Sequence, residues 1–253
     1  MKEKLYTIPV NDAFEAGEEC PFCYLERKNE QEMLDFILGS GSSYMERDIR
    51  EQTDKKGFCR EHFGKMFQYG NTLGNAWILK THYKKMLEEM KQEVSKPVLH
   101  KKRTTGLIRK KYDRSDEFTE WISKKKNDCY FCEQQANLQR RYLETFFMMF
   151  QKDLELKEKI ETSNGFCLHH TQELLITGFE LLPVTKQDEF QQMMVKLGQE
   201  NLERLAEEIS WLVDKFDYRN QDADWKNSKD ALQRGMQKLW GGYPAEPAYR
   251  QKK

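Results

Sequence analysis

Eight residues in this chain have the type and spacing to do chemistry together. Glu19-Cys20-Pro21-Phe22-Cys23 matches Asp128-Cys129-Tyr130-Phe131-Cys132, and Gly57-Phe58-Cys59-Arg60-Glu61-His62 matches Gly165-Phe166-Cys167-Leu168-His169-His170. The offsets are 109 and 108 residues, so each half reads C-x2-C, a gap of 35 or 34 residues, then C-x2-H. Three thiolates and one imidazole form a closed tetrahedral set of the kind that holds structural zinc. A disulfide framework fits poorly, because the six cysteines divide three and three and pairing within either half leaves one thiol over.

The spacing suits helix starts. A Cys-x2-Cys turn opening a helix meets free backbone N–H groups and a dipole that favours thiolate over thiol. Residues i and i+3 share a helical face, so Cys59 with His62, and Cys167 with His170, can grip one ion; His169 falls at i+2 and points elsewhere. The expectation is two zinc ions per chain. One would bind Cys20, Cys23, Cys59 and His62, the other Cys129, Cys132, Cys167 and His170, each clipping together two helix starts of one half.

Stepping out from the ligands, the halves align as an internal duplication, with Met33, Leu34, Phe36, Ile37 and Leu38 facing Tyr142, Leu143, Phe146, Phe147 and Met148. Helical periodicity dominates and strand alternation is nearly absent. Helices are expected at 24–38, 44–53, 59–69 and 73–94 in the first half. In the second they fall at 116–126, 131–150, 154–162, 166–178 and from Pro183 to Phe216, with a last helix over 222–240. The run Phe146 to Phe150 reads as core, as do Met193 and Met194. On the helix over 73–94, Ala76, Leu79, Tyr83, Met86, Leu87 and Met90 form an apolar stripe bordered by His82, a packed or half-exposed histidine rather than a further ligand. The fold class is all-α, with two homologous helical repeats, each clipped by a Cys3His site. Residues 1–94 form the first repeat, 95–115 a basic linker, 116–220 the second repeat and 221–253 a C-terminal helix and tail.

The chain has 42 basic and 42 acidic residues, and 33% of its positions are charged. That composition suits long solvated helices, and the longest apolar run, Phe146 to Phe150, falls far short of a bilayer span. Glu3, Asp12 and Glu15 interrupt any secretory signal; a cytoplasmic address is the expectation. The linker holds Lys96, Lys101, Lys102, Arg103, Arg109, Lys110, Lys111 and Arg114 against Asp113. Such a run can contact phosphates. A solvated connector is the preferred reading, since Tyr112 is the only aromatic there for base stacking, and no tight binding of nucleic acid is expected.

With its twinned Cys-Pro-Phe-Cys and Gly-Phe-Cys-x-x-His motifs and its opening Leu5-Tyr6-Thr7-Ile8-Pro9-Val10, the sequence resembles a bacterial family catalogued as a domain of unknown function. The resemblance runs from Met1 to about Phe216 and implies no activity. The second copy has Tyr130 where the first has Pro21, which departs from the motif without removing a ligand.

The leading functional reading is a non-enzymatic zinc-binding helical scaffold or adaptor with a protein partner. A filled Cys3His shell leaves no open position for substrate. Thiol–disulfide chemistry at the Cys-x2-Cys pairs is the alternative, and iron–sulfur ligation by the same residues is a third reading. Attachment of c-type haem is excluded, because Tyr24 and Glu133, not His, follow the pairs. No phosphate-binding, dinucleotide-binding, zinc-protease or serine-hydrolase motif is found.

Overall fold

The computed structural model of the protein describes residues 5–94 and 117–242. The linker expectation over 95–115, and that of a loose tail at Pro244 and Pro247, lie outside the described residues. Among the described residues the fold is all-helical, with no strand: α1 Thr7–Glu15, α2 Pro21–Leu38, α3 Arg47–Lys56, α4 Arg60–Tyr69, α5 Thr72–Val94, α6 Glu117–Asn127, α7 Tyr130–Lys152, α8 Leu154–Glu161, α9 Leu168–Leu181, α10 Val184–Asp214 and α11 Ala231–Trp240. A 3-10 turn, Ser43–Met45, precedes α3.

The chain divides into two compact units, one within Met1–Glu30 and Gln135–Pro247, the other within Gln31–Gln134. These units are not the two sequence copies. Helices α2 and α7 each begin in one unit and continue in the other, so each unit combines residues from both halves of the chain.

The first unit has an aromatic core. Phe146, Phe147, Met149 and Phe150 of α7 are all at most 1% exposed, as their apolar run leads one to expect. Phe146 meets Phe22 edge-on at 5.8 Å and Phe150 in parallel at 6.3 Å, while Phe190 of α10 meets Phe147 and Phe150 at 5.2 and 5.1 Å. Aromatic pairs at such distances add roughly 0.5 to 1.5 kcal/mol each beyond burial. Phe22 pairs with Phe146, and Asn29 accepts from the Tyr142 hydroxyl at 3.0 Å, so the start of α2 runs antiparallel to α7. Helix α1 buries Val10 and Ala13 in this core. No helix was expected there; Pro9 lies in its first turn, where a missing N–H breaks no intrahelical bond.

The second unit packs Leu34, Ile37 and Leu38 of α2 with Ile49, Phe58, Met66, Tyr69, Ile78 and Phe131. Here one expectation is corrected. Of the apolar stripe on α5, Ala76, Tyr83, Leu87 and Met90 are exposed and Leu79 and Met86 half-buried. The buried face is instead that of Gly74 and Ile78. Thr81 Oγ1 donates to Asp54 of α3 at 2.6 Å and His82 Nδ1 lies 2.9 Å from the Asp54 carbonyl oxygen. Polar contacts to α3 therefore turn the helix away from the orientation that its apolar stripe suggests. The last helix is also shorter than expected, because residues 222–230 form turns before α11.

Candidate metal centres

Cys20 and Cys23 flank the start of α2, where Pro21 occupies the first helical position and lacks an N–H that the helix could not use. Cys167 caps α9, with its sulfur 3.4 Å from the His170 backbone nitrogen, and His170 follows one turn later. These four residues converge. His170 Nδ1 lies 3.1 Å from Cys167 Sγ, 3.4 Å from Cys20 Sγ and 3.5 Å from Cys23 Sγ, and the Cys23 and Cys167 sulfurs are 3.7 Å apart. All four side chains are buried; Cys23, at 3%, is the most exposed of them.

The second cluster is assembled from the complementary motifs. Cys59 caps α4, and Cys129 and Cys132 open α7. His62 Nδ1 lies 3.1 Å from Cys59 Sγ, 3.3 Å from Cys129 Sγ and 3.4 Å from Cys132 Sγ, with Cys59 and Cys132 sulfurs 3.8 Å apart. Cys129 and His62 are buried, Cys59 is half-buried and Cys132 is exposed.

All eight residues named from the sequence thus fall into two groups of three cysteines and one histidine, with each group's donor atoms within 4.8 Å of one another. The grouping differs from the expectation. The Cys-x2-Cys pair of each half meets the Cys-x2-H pair of the other, so the sets are Cys20, Cys23, Cys167, His170 and Cys59, His62, Cys129, Cys132. The first set lies wholly within the first compact unit and the second wholly within the second, because α2 and α7 each pass from one unit to the other between the Cys-x2-Cys pair and the Cys-x2-H pair of its half.

The donor spacing is compatible with zinc. With Zn–S roughly 2.3 Å and Zn–N roughly 2.0 to 2.1 Å, a regular tetrahedron has S–S edges of about 3.8 Å and S–N edges of about 3.5 Å. The sulfur pairs at 3.7 and 3.8 Å match the first, and the sulfur–nitrogen distances of 3.1 to 3.5 Å lie at or just inside the second. No cysteine is disulfide-bonded.

Protons are unevenly shared within each cluster. Hydrogen bonds with Cys20 and Cys23 and with His170 hold the Cys167 thiol well below its ordinary range despite burial. Hydrogen bonds to Cys167 and Cys20, with burial, push Cys23 up. Burial opposes charge on His170, but neighbouring Cys167 and Cys20 sulfurs and the Glu26 carboxylate outweigh it and raise its pKa well above normal. In the second cluster, burial is outweighed at Cys129 by hydrogen bonds from His62 and from the Cys132 and Cys59 backbone, which bring its thiol to about 6. Cys132 is pushed up by burial and by Cys129. In each cluster one thiol is lowered and another raised, so the groups share protons that a bound dication would displace, since ligation requires thiolates and a neutral imidazole.

The Gly-Phe-Cys turns are built by close approach. Gly57 has φ +69° and Gly165 φ +75°, where residues with a side chain are strained. A Cβ on Gly57 would sit 2.7 Å from the His82 ring, and one on Gly165 would sit 3.3 Å from Leu197 and Asn201 of α10. His82 is thus a packing residue and His169, exposed with its ring centroid 5.0 Å from that of His170, is a neighbour.

Three surrounding features were not foreseen. Glu26 Oε1 lies 3.4 Å from His170 Nε2, the ring nitrogen facing away from the sulfurs. Glu19, with its side chain 1% exposed, pairs with Arg204 at 2.7 Å, Arg234 at 3.0 Å and Lys238 at 3.1 Å. Finally, Tyr130 N–H donates to the Gly57 carbonyl at 3.0 Å, tying the two motifs of the second cluster. Pro21, its counterpart, has no N–H; in the first cluster Lys238 Nζ makes the tie, donating to the Glu19 and Asn164 carbonyls at 2.6 and 2.5 Å. Glu19 is 185 or more residues from its three cationic partners, and each of these charges reads in the sequence as part of a solvated helix face.

No helix among the described residues is long and apolar enough to cross a membrane. The model of a family of unknown function, DUF6062, matches residues 1–246. No curated protein and no solved structure matches the chain.

Proposed function

The chain belongs to that family of unknown function, and we propose that it is a non-enzymatic zinc-binding helical scaffold, arisen by internal duplication, in which two Cys3His sites staple the halves of the chain to each other. The carrying observation is the convergence of four donors, at zinc-compatible spacing, in two places. Each site joins motifs more than 60 residues apart, so binding energy on the order of 10 kcal/mol is spent on long-range closure. A full protein shell supports a structural role over a catalytic one. Convergence on a single point also favours one ion over a multi-iron cluster, whose cysteines ligate different irons. The reducing cytoplasm is the compartment that keeps six thiols available. A scaffold of this kind works through a protein partner, and tight binding of DNA or RNA is not part of the reading.

The experiment is metal analysis of protein purified without added metal. The reading predicts two zinc ions per chain and few reactive thiols until a chelator is added. Iron with visible charge-transfer absorption, or metal-free protein that refuses supplied zinc, would contradict it.

A further inference from the structure

The two clusters offer a comparison in which spacing is constant and access varies. Cys23 and Cys167 sulfurs are 3.7 Å apart, and Cys59 and Cys132 sulfurs 3.8 Å. Both pairs are near enough to join after small movements. The first pair is sealed: the residues are 3% and 0% exposed, and a Cβ built on Gly241, just after α11, would touch them at 3.5 and 3.4 Å. In the second pair Cys132 is exposed and Cys59 half-buried. Oxidation follows thiolate character and exposure, and zinc ligation supplies the thiolate at both.

We propose that the second cluster is an oxidant-responsive site, at which a hydroperoxide links Cys132 to Cys59 and releases the metal while the first cluster keeps its own. This rests on the reading of the clusters as zinc sites. The Cys132 thiolate attacks the peroxide O–O bond; an S–O bond forms, the O–O bond breaks, and hydroxide leaves (an alkoxide from an organic hydroperoxide). The Cys59 thiolate then attacks the resulting sulfenic sulfur. The S–S bond forms, the S–O bond breaks, and a second hydroxide leaves. Two thiolates lose two electrons in all and the peroxide gains them, with two solvent protons completing two waters. Zinc changes neither charge nor oxidation state. It loses two of four ligands, and Cys129 and His62 alone do not retain it. Cys129, buried at 5% exposure, is not the point of attack.

The test exposes the zinc-loaded full chain to hydrogen peroxide, follows free zinc with a chromogenic chelator, and maps disulfides by peptide mass spectrometry after alkylation. One zinc per chain is expected to leave, faster than the other by roughly tenfold or more, with a Cys59–Cys132 disulfide and unmodified Cys20, Cys23 and Cys167. Reductant and zinc should restore the starting state. Release of both ions in parallel, retention of both while an added free thiol is oxidised, or a disulfide within the first cluster overturns the proposal alone. A chain that binds no zinc when it is supplied overturns the underlying reading, and the proposal with it.

Discussion

The two clusters share a donor set, a motif grammar and nearly identical donor spacing, yet one is enclosed and the other opens to solvent. What separates them lies outside the motifs. Around the first, α11 brings Arg234 and Lys238 to Glu19 and the Gly241 backbone against two of the sulfurs. At Gly235 it comes so near α10 that a Cβ would lie 2.7 Å from Ile209. Around the second, α6 brings Lys125 to Glu89 at 2.7 Å and to the Lys55 carbonyl at 2.8 Å. That helix buries no side chain of its own. The ligand motif sets what can be held, and the flanking helix sets what can reach it.

The largest effect that tests this contrast is ligand loss. Cys167→Ser should forfeit on the order of 10 kcal/mol of metal-linked stability, comparable to a whole domain, because no water reaches the buried shell to replace the sulfur. Cys132→Ser should cost far less, since solvent can fill the vacated position. Zinc content and thermal melts of the two variants check this; equal losses would remove the distinction.

Next comes the buried charge cluster of the first unit. Glu19→Gln takes from Lys238, 2% exposed, the carboxylate it pairs with, while Arg204 and Arg234 keep Glu208, and should cost roughly 3 to 5 kcal/mol in denaturant unfolding. A change below half a kcal/mol would show the cluster to be solvated. The order reverses at the glycine turns. Gly57→Ala combines a glycine-only backbone, φ +69° and ψ −155°, with a rigid imidazole at 2.7 Å, and should cost about 2 to 3 kcal/mol. Gly165→Ala meets neighbours at 3.3 Å and should cost less. The smallest effect is expected at Glu26, whose carboxylate lies 3.4 Å from His170 Nε2. Glu26→Gln should weaken zinc at the first site roughly tenfold, measured by competition with a chelator, and leave the second unchanged.

Much of this was legible in the sequence, and the failures have physical causes. The eight candidate donors announce themselves because few residue types bind soft metal and the motif occurs twice. Helix positions follow from periodicity and caps, to within a few residues for α2, α4, α5 and α7. The pairing of motifs was missed because spacing within a half says nothing of direction. What decides it is that α2 and α7 each leave the unit in which they begin, which local spacing does not encode. The stripe on α5 misled because Asp54, Thr81 and His82 outvote it with polar contacts. Glu19, Arg204, Arg234 and Lys238 were invisible because lone charges on a highly charged helix look alike until the fold brings them together.

The central claim is that each metal site is built from both halves of the chain. Counting zinc by native mass spectrometry on two double variants tests it directly, with all substituted positions buried. If the sites cross the halves, Cys20→Ser with Cys167→Ser disables one site and leaves one zinc per chain, while Cys129→Ser with Cys167→Ser disables both and leaves none. The opposite pattern, none in the first variant and one in the second, would put each site within a single half and contradict the account.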